Sequence, residues 1–208
     1  MAANYDNSAW FYDRLSRMVY GRALVNAQLY LLQFVKAGQR VLIAGGGTGW
    51  ILEELCKLHP SGLDIVYVEI SANMMALSRK RDIKNNQVDF INAPVEDVQL
   101  SQPFDTIITP FLFDNFTQVN AQLIFNHIRS LIKPDGTWLN CDFRLTGKWW
   151  QNVILKSMFV FFRLLCRIEA KVLPDIDGLF RNGGYEVTDE RPFFGDFVIA
   201  RVYKKRRP

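Results

Sequence analysis

The sequence predicts an α/β protein: a doubly wound, mostly parallel sheet of seven strands with helices on both faces and an antiparallel last strand. Three observations lead there. Short apolar runs alternate with stretches of helical periodicity along most of the 208 residues, the pattern of strand–helix–strand units. Four glycines fall within positions 45 to 49, between the first apolar run and an amphipathic stretch, as in a turn that lets backbone approach a ligand. Two strand-like runs follow one another near the end with only a short link, which calls for an antiparallel finish.

Taken in order, residues 8 to 37 read as two helical pieces broken near Gly21, with Trp10, Phe11, Arg14, Leu15 and Met18 at helical spacing. "RVLIA" (40–44) is a buried strand and "GWILEELCKL" (49–58) the helix beyond the glycines. "DIVYVEI" (64–70) is the second strand, and Ser71 suits the N-cap of the helix after it. "VDFINA" (88–93) and "FDTIITP" (104–110) are the third and fourth strands. A helix over 119–131 should stop before "KPDG" (133–136), whose Pro134 and Gly136 are turn residues. "TWLNCDF" (137–143) is the fifth strand, a long apolar helix covers 148–168, and "YEVTDE" (185–190) and "DFVIARVYK" (196–204) close the chain. No repeat or linker interrupts this, so 1–208 reads as one domain.

Charge and cysteines narrow the function classes. The net charge is +4, and Lys204, Lys205, Arg206 and Arg207 account for all of it. The body is therefore neutral, the tail reads as a solvated end, and no nucleic-acid partner is expected. Cys56, Cys141 and Cys166 are far apart and outside any CxxC spacing, and only His59 and His127 could join them. No metal site is expected, and three reduced cysteines suit a cytoplasmic protein. The start "MAANYDNSAW" lacks a basic-then-apolar layout, so no signal peptide is expected. "VILKSMFVFFRLLC" (153–166) is broken by Lys156 and Arg163, short of the roughly 18 to 20 apolar residues a membrane span needs.

The glycines can be read in two frames. Ala44, Gly46 and Gly49 give a near match to the dinucleotide pattern GxGxxG, with alanine in first place. Gly45, Gly47 and Gly49 give GxGxG with no substitution. Glu69, ending the second strand, would accept hydrogen bonds from ribose hydroxyls in either frame. Together these residues indicate a nucleoside-type ligand without naming it. No Tyr-x-x-x-Lys pair is present, which removes one common dehydrogenase arrangement.

"VLIAGGGTG", "VYVEISANMM", "FINAPVEDV", "FDTIITPFLFDN" and "LIKPDGTWLNCDF" occur in that order. The series resembles the class I S-adenosylmethionine-dependent methyltransferases over roughly residues 5 to 204, and most of all the branch containing ubiquinone/menaquinone biosynthesis methyltransferases. The opening "YDNSAWFYDRLS" and the closing "LFRNGGYEVTDERPFFGDFVIARVYK" look like that branch too. The resemblance implies a Rossmann-like methyltransferase fold and S-adenosylmethionine as cofactor. It divides the chain into an N-terminal helical cap over the cofactor (1–37), a cofactor-binding core (38–147), an aromatic helical segment (148–180) and closing strands (184–204).

It also implies site positions. Gly45, Gly46, Gly47 and Gly49 would carry backbone against the methionine part. Glu69 would hold the ribose, with Ile70 and Met74 flanking the adenine. Val95 would offer its N–H to the adenine edge beside Pro94 and Glu96. Thr109 and Pro110 would sit near the sulfonium, and Tyr5 and Tyr12 would fold over the cofactor. Two positions depart from the family pattern: the usual first-strand acid is Ile43 here, and the usual acid at the adenine amino group is Pro94. Their loss would weaken cofactor binding.

Methyl transfer from a sulfonium is an in-line displacement that positioning alone can largely accelerate. Where the acceptor needs a base, Asp114 in "PFLFDNF" is the candidate, its alternative being a helix N-cap or a loop acid facing water. His127, among Ile124, Phe125, Ile128 and Leu131, reads as structural. Trp149, Trp150, Phe159, Phe161 and Phe162 make the long helix unusually aromatic. It reads as a core helix, a lid over an apolar acceptor, a dimer face or, with Lys156, Arg163 and Arg167, a peripheral membrane contact. The reading favoured is a small, apolar or lipid-like acceptor and a monomer or homodimer. The alternative is a non-catalytic nucleoside-binding protein that keeps the fold.

Overall fold

A computed structural model describes residues 19–166 and 172–206, with side chains up to residue 160 in the first span. The elements are α1 (Ala23–Leu32), β1 (Arg40–Ala44), α2 (Trp50–Leu58), β2 (Ser61–Val68), α3 (Ala72–Ser78), β3 (Asn85–Ile91), β4 (Phe104–Pro110), α4 (Gln118–Ser130), β5 (Ile132–Phe143), α5 (Trp149–Cys166), α6 (Ile176–Asn182), β6 (Tyr185–Phe193) and β7 (Val198–Lys205). Single 3-10 turns lie at Val95–Asp97 and Phe113–Asn115.

The seven strands run in the order β3-β2-β1-β4-β5-β7-β6. β1 to β5 are parallel, and β7 is antiparallel to both its neighbours, β5 and β6. The chain winds outward from β1 through β2 to β3, then crosses back to β4 on the other side of β1. That reversal opens a crevice at the carboxyl ends of β1 and β4, where doubly wound sheets bind ligands.

Alternation along the strands sorts the core into two layers. From β1, Val41 and Ile43 enter one layer with α1, α2 and α5, while Leu42 and Ala44 enter the other with α4 and α6. The second layer is closed by aromatic rings: Trp138 stacks on Phe125 at 5.1 Å, and Phe180 lies flat on Tyr203 at 3.7 Å. α5 lays Leu155 and Phe159 into the first layer, with Trp150 against Phe194 and Phe197. It leaves Trp149 78% exposed. For the side chains described, α5 is a core helix with one aromatic turned outward.

Several strand bounds shift, as in β3 and β6, and three further differences from the sequence reading stand out. The turn expected at 133–136 is an irregularity within β5: Phe104 pairs with Ile132 and Thr106 with Thr137, so "KPDG" loops out opposite a single residue. Gly136 is needed there because a Cβ would stand 2.6 Å from Ile132 Cγ1. β2 ends at Val68, leaving Glu69 and Ile70 just past the strand. α6 has no counterpart among the helices read from the sequence. Asp175 caps it, accepting from the Gly178 amide at 2.8 Å, and Leu179 and Phe180 anchor it in the second layer.

Candidate functional site

One cleft lies over the carboxyl ends of β1, β2 and β4, and four segments wall it. The first is the glycine turn. The Gly45 and Gly46 amides both donate to the Val68 carbonyl, at 2.9 and 3.3 Å, so the turn leaves β1 still tied to β2. The Glu69 carboxylate, only 5% exposed, accepts from the Gly47 amide at 2.9 Å and from the Ser71 amide at 2.8 Å. Backbone thus orients this acid before any ligand arrives. The Tyr67 hydroxyl donates to the Gly47 carbonyl at 2.9 Å. Ser71 in turn caps α3 by accepting from the Met74 amide.

Two of the glycines answer to neighbours within the protein. A Cβ at Gly46 would stand 2.3 Å from the Tyr67 ring, and one at Gly49 would stand 2.6 Å from the Ser78 Cα. Gly49, at φ +79°, caps α2 and does not line the cleft.

The second wall is Ile70, Met74, Ala93, Pro94, Val95 and Glu96. Asn92 braces it by donating to the Glu69 and Ile70 carbonyls at 2.8 and 3.0 Å. The third follows β4: Pro110, Phe111, Leu112, Asn115 and Phe116. Phe111 adopts φ +53°, a left-handed conformation costly for a bulky side chain. It is held there by its amide bond to the Cys141 carbonyl at 2.8 Å and by Asn115, whose side-chain amide donates to the Phe111 carbonyl at 2.9 Å. α1 supplies the fourth wall with Leu24, Val25 and Gln28. Among the described lining residues the charged ones are Glu69 and Glu96, and no cation is present.

Beneath the third wall lie two buried acids. Burial, then the neighbouring Asp142, pushes the Asp114 carboxyl well above the usual carboxylate range. Burial raises Asp142 to about 7, against amide bonds from Phe143 at 2.9 Å and Phe113 at 3.2 Å. Two carboxyls this close and this dry do not both ionise.

A family model described as a methyltransferase domain matches residues 41–136. A demethylmenaquinone methyltransferase of Clavibacter sepedonicus is 25% identical over 149 residues, 69% of this chain and 58% of that one. A ubiquinone/menaquinone biosynthesis C-methyltransferase of Geotalea daltonii is 27% identical over 183 residues, 85% of this chain and 72% of that one. The chain is similar to the class I S-adenosylmethionine-dependent methyltransferase superfamily. Magnesium protoporphyrin IX methyltransferase from Synechocystis PCC 6803, solved with bound SAH, shares the fold at a TM-score of 0.67 and 17% identity, covering 97% of each chain. The chain spans little more than half the length of the first of these relatives.

The superfamily's cofactor, S-adenosylmethionine, fits the donor set present. Gly45, Gly46, Gly47, Glu69, Ile70, Met74, Pro94, Val95, Glu96 and Pro110 all line the cleft. A buried carboxylate aimed by two backbone amides suits a ribose diol, and an apolar slot between Ile70, Met74 and Val95 suits a purine. Two other expected positions lie off the cleft, as Gly49 does. Thr109 is fully buried off the cleft, its hydroxyl bonded to Asn140 Oδ1 at 2.8 Å and accepting from Trp138 Nε1 at 2.9 Å. Asp114 does not line the cleft either, and it faces Asp142 rather than water. Tyr5 and Tyr12 lie outside the described residues. His127 bonds the Val98 carbonyl at 3.0 Å, away from the cleft.

Sequence reasoning missed Leu24, Val25 and Gln28, which share one face of α1, and the run Phe111, Leu112, Asn115 and Phe116. Their helical spacing was visible for the first group. The orientation of the second depends on the left-handed Phe111, which no local pattern announces.

Proposed function

We propose that the protein is an S-adenosylmethionine-dependent methyltransferase acting on a small, apolar or lipid-like acceptor. The observation that supports the acceptor class is the third wall: Pro110, Phe111, Leu112 and Phe116 are apolar, and no cation among the described lining residues stands ready for a phosphate or carboxylate. When bound, the cofactor supplies an electrophilic methyl group. The chain's own residues bind, orient and exclude water. Glu69 holds the ribose, the Gly45–Gly47 backbone takes the methionine part, and α1 covers the cleft with Leu24 and Val25. Phe111 and Phe116 offer flat apolar surfaces to an acceptor. Reaction then follows from alignment, which can contribute roughly 7–11 kcal/mol toward the barrier. Asp114 acts on this wall indirectly, through the turn that carries Asn115 and Phe116.

The relatives' names supply the first acceptor to try, and two others test its limits. The full chain is incubated with S-adenosylmethionine and, in turn, a prenylated hydroquinone, a simple catechol and a malonyl thioester, and formation of S-adenosylhomocysteine is followed. Turnover on the apolar acceptors supports the reading. Turnover on the malonyl thioester alone removes the apolar acceptor. Equal binding of both cofactor forms, with no turnover on any acceptor, favours the non-catalytic binding protein.

A further inference from the structure

The glycine turn is gripped by β2 and the residue just past it. The first-strand position that carries an acid in that pattern is Ile43, here fully buried in the apolar layer. Its register partner across the β1–β2 ladder is Tyr67. The Tyr67 ring occupies the space a Cβ at Gly46 would need, and its hydroxyl donates to the Gly47 carbonyl at 2.9 Å. Two residues on, Glu69 accepts from the Gly47 amide at 2.9 Å. Residue 47 is therefore held at both its N–H and its C=O from one segment of chain. Tyr67 itself does not line the cleft, so its influence on any ligand passes through the turn.

We propose that Tyr67 is the positioning residue of the cofactor turn: its hydroxyl fixes the Gly47 carbonyl and its ring requires glycine at 46. Residues 46 and 67 then form an exchange pair. A side chain at 46 is tolerated only where residue 67 is small, and a small residue at 67 leaves the turn unsupported. Gly46 owes its identity to this internal packing and not to the cofactor. The same contact couples turn and acid, because a Gly47 peptide that drifts takes with it one of the two amides that aim Glu69.

The test uses the full chain and two readouts. Affinity for S-adenosylhomocysteine is measured by calorimetry on the wild type, Tyr67→Phe, Gly46→Ala, Tyr67→Ala and the double variant Gly46→Ala/Tyr67→Ala. Amide hydrogen exchange of residues 46–49 is followed by NMR without ligand, with the β1 amides as internal reference. Tyr67→Phe removes only the hydroxyl, and the loss of one hydrogen bond should cost roughly three- to tenfold in affinity. It should speed exchange in the turn by a similar factor while leaving β1 and the melting temperature nearly unchanged. Gly46→Ala should weaken binding by at least about tenfold in the presence of Tyr67, and by under about twofold in the Tyr67→Ala background, the non-additivity of residues in contact. The proposal is overturned if Tyr67→Phe leaves both affinity and exchange at wild-type values, or if Gly46→Ala costs the same in both backgrounds. Should Tyr67→Ala fail to fold, Tyr67→Phe decides alone. A wild type that binds no S-adenosylhomocysteine would instead fault the assignment of the cleft to the cofactor, while the exchange arm still decides what Tyr67 does.

Discussion

The carboxyl ends of β2 and β4 both carry an acid to the edge of the cleft, and they treat it in opposite ways. Past β2, Glu69 is aimed into the cleft by two backbone amides. Past β4, Asp114 is buried outside the lining and near a second acid, Asp142, with its Oδ1 accepting from the Asn115 side-chain amide at 2.8 Å. The β2 end uses its polar groups for orientation, so ligand meets a preformed acceptor. The β4 end presents apolar side chains and a backbone in the left-handed region at Phe111, while its two acids lie buried off the cleft. One end is suited to recognising polar groups and the other to admitting an apolar reactant.

The sharpest way to break this contrast is Glu69→Ala. Two charge-assisted ribose bonds at about 1.5–3 kcal/mol each would go, together with the tie to Gly47. Calorimetry should show at least a hundredfold loss of affinity for S-adenosylmethionine, and a smaller loss would mean that the ribose is held elsewhere. At the β4 end, Phe111→Gly relieves the backbone but deletes the aromatic wall. The expected outcome is a fall in kcat/KM for an apolar acceptor by roughly tenfold, on the scale of one lost aromatic contact, with cofactor affinity nearly unchanged. Equal losses in both would show that Phe111 serves the cofactor.

The buried acids give a pH test. Their carboxyls titrate higher in the folded chain than in the unfolded one, so the folded state binds the extra proton. Stability is fully present below the unfolded carboxylate range and declines as pH rises through about 7, where Asp142 titrates. Asp114→Asn keeps a neutral partner for Asp142 and should flatten that decline, raising the melting temperature by a few degrees at alkaline pH. A wild type equally stable at pH 5 and pH 8 would contradict the shared burial. The smallest effect is expected from Gln28→Ala, about twofold to threefold in cofactor affinity, because its side-chain amide already donates to the Leu24 carbonyl at 3.3 Å.

How far the sequence could be read follows the same division. The strands at 40–44 and 104–110 were legible to the residue, because burial concentrates apolar and β-branched residues in them. Glu69 was legible because an acid just past a buried strand has few structural reasons to be there. The glycines were only half legible. Their density suggests close approach by a ligand, yet Gly46 and Gly49 answer to Tyr67 and Ser78, neighbours brought in by chain 21 and 29 residues away. Thr109 was misplaced because strand parity gives two faces but not which faces the cleft; its hydroxyl closes a polar chain with Asn140 and Trp138. α6 escaped notice because seven residues show little periodicity, although Asp175 ahead of it and Gly183 behind it were serviceable end signals.

The acids at 69 and 96, both in the lining of the cleft, also bear on turnover. S-adenosylmethionine carries a positive sulfonium that disappears when the methyl group leaves. A negatively lined cleft attracts the charged form more than the neutral thioether left behind. The same two residues that help to load the cofactor would therefore help to eject its spent form and limit product inhibition. That bias should widen at low ionic strength and narrow as salt screens it.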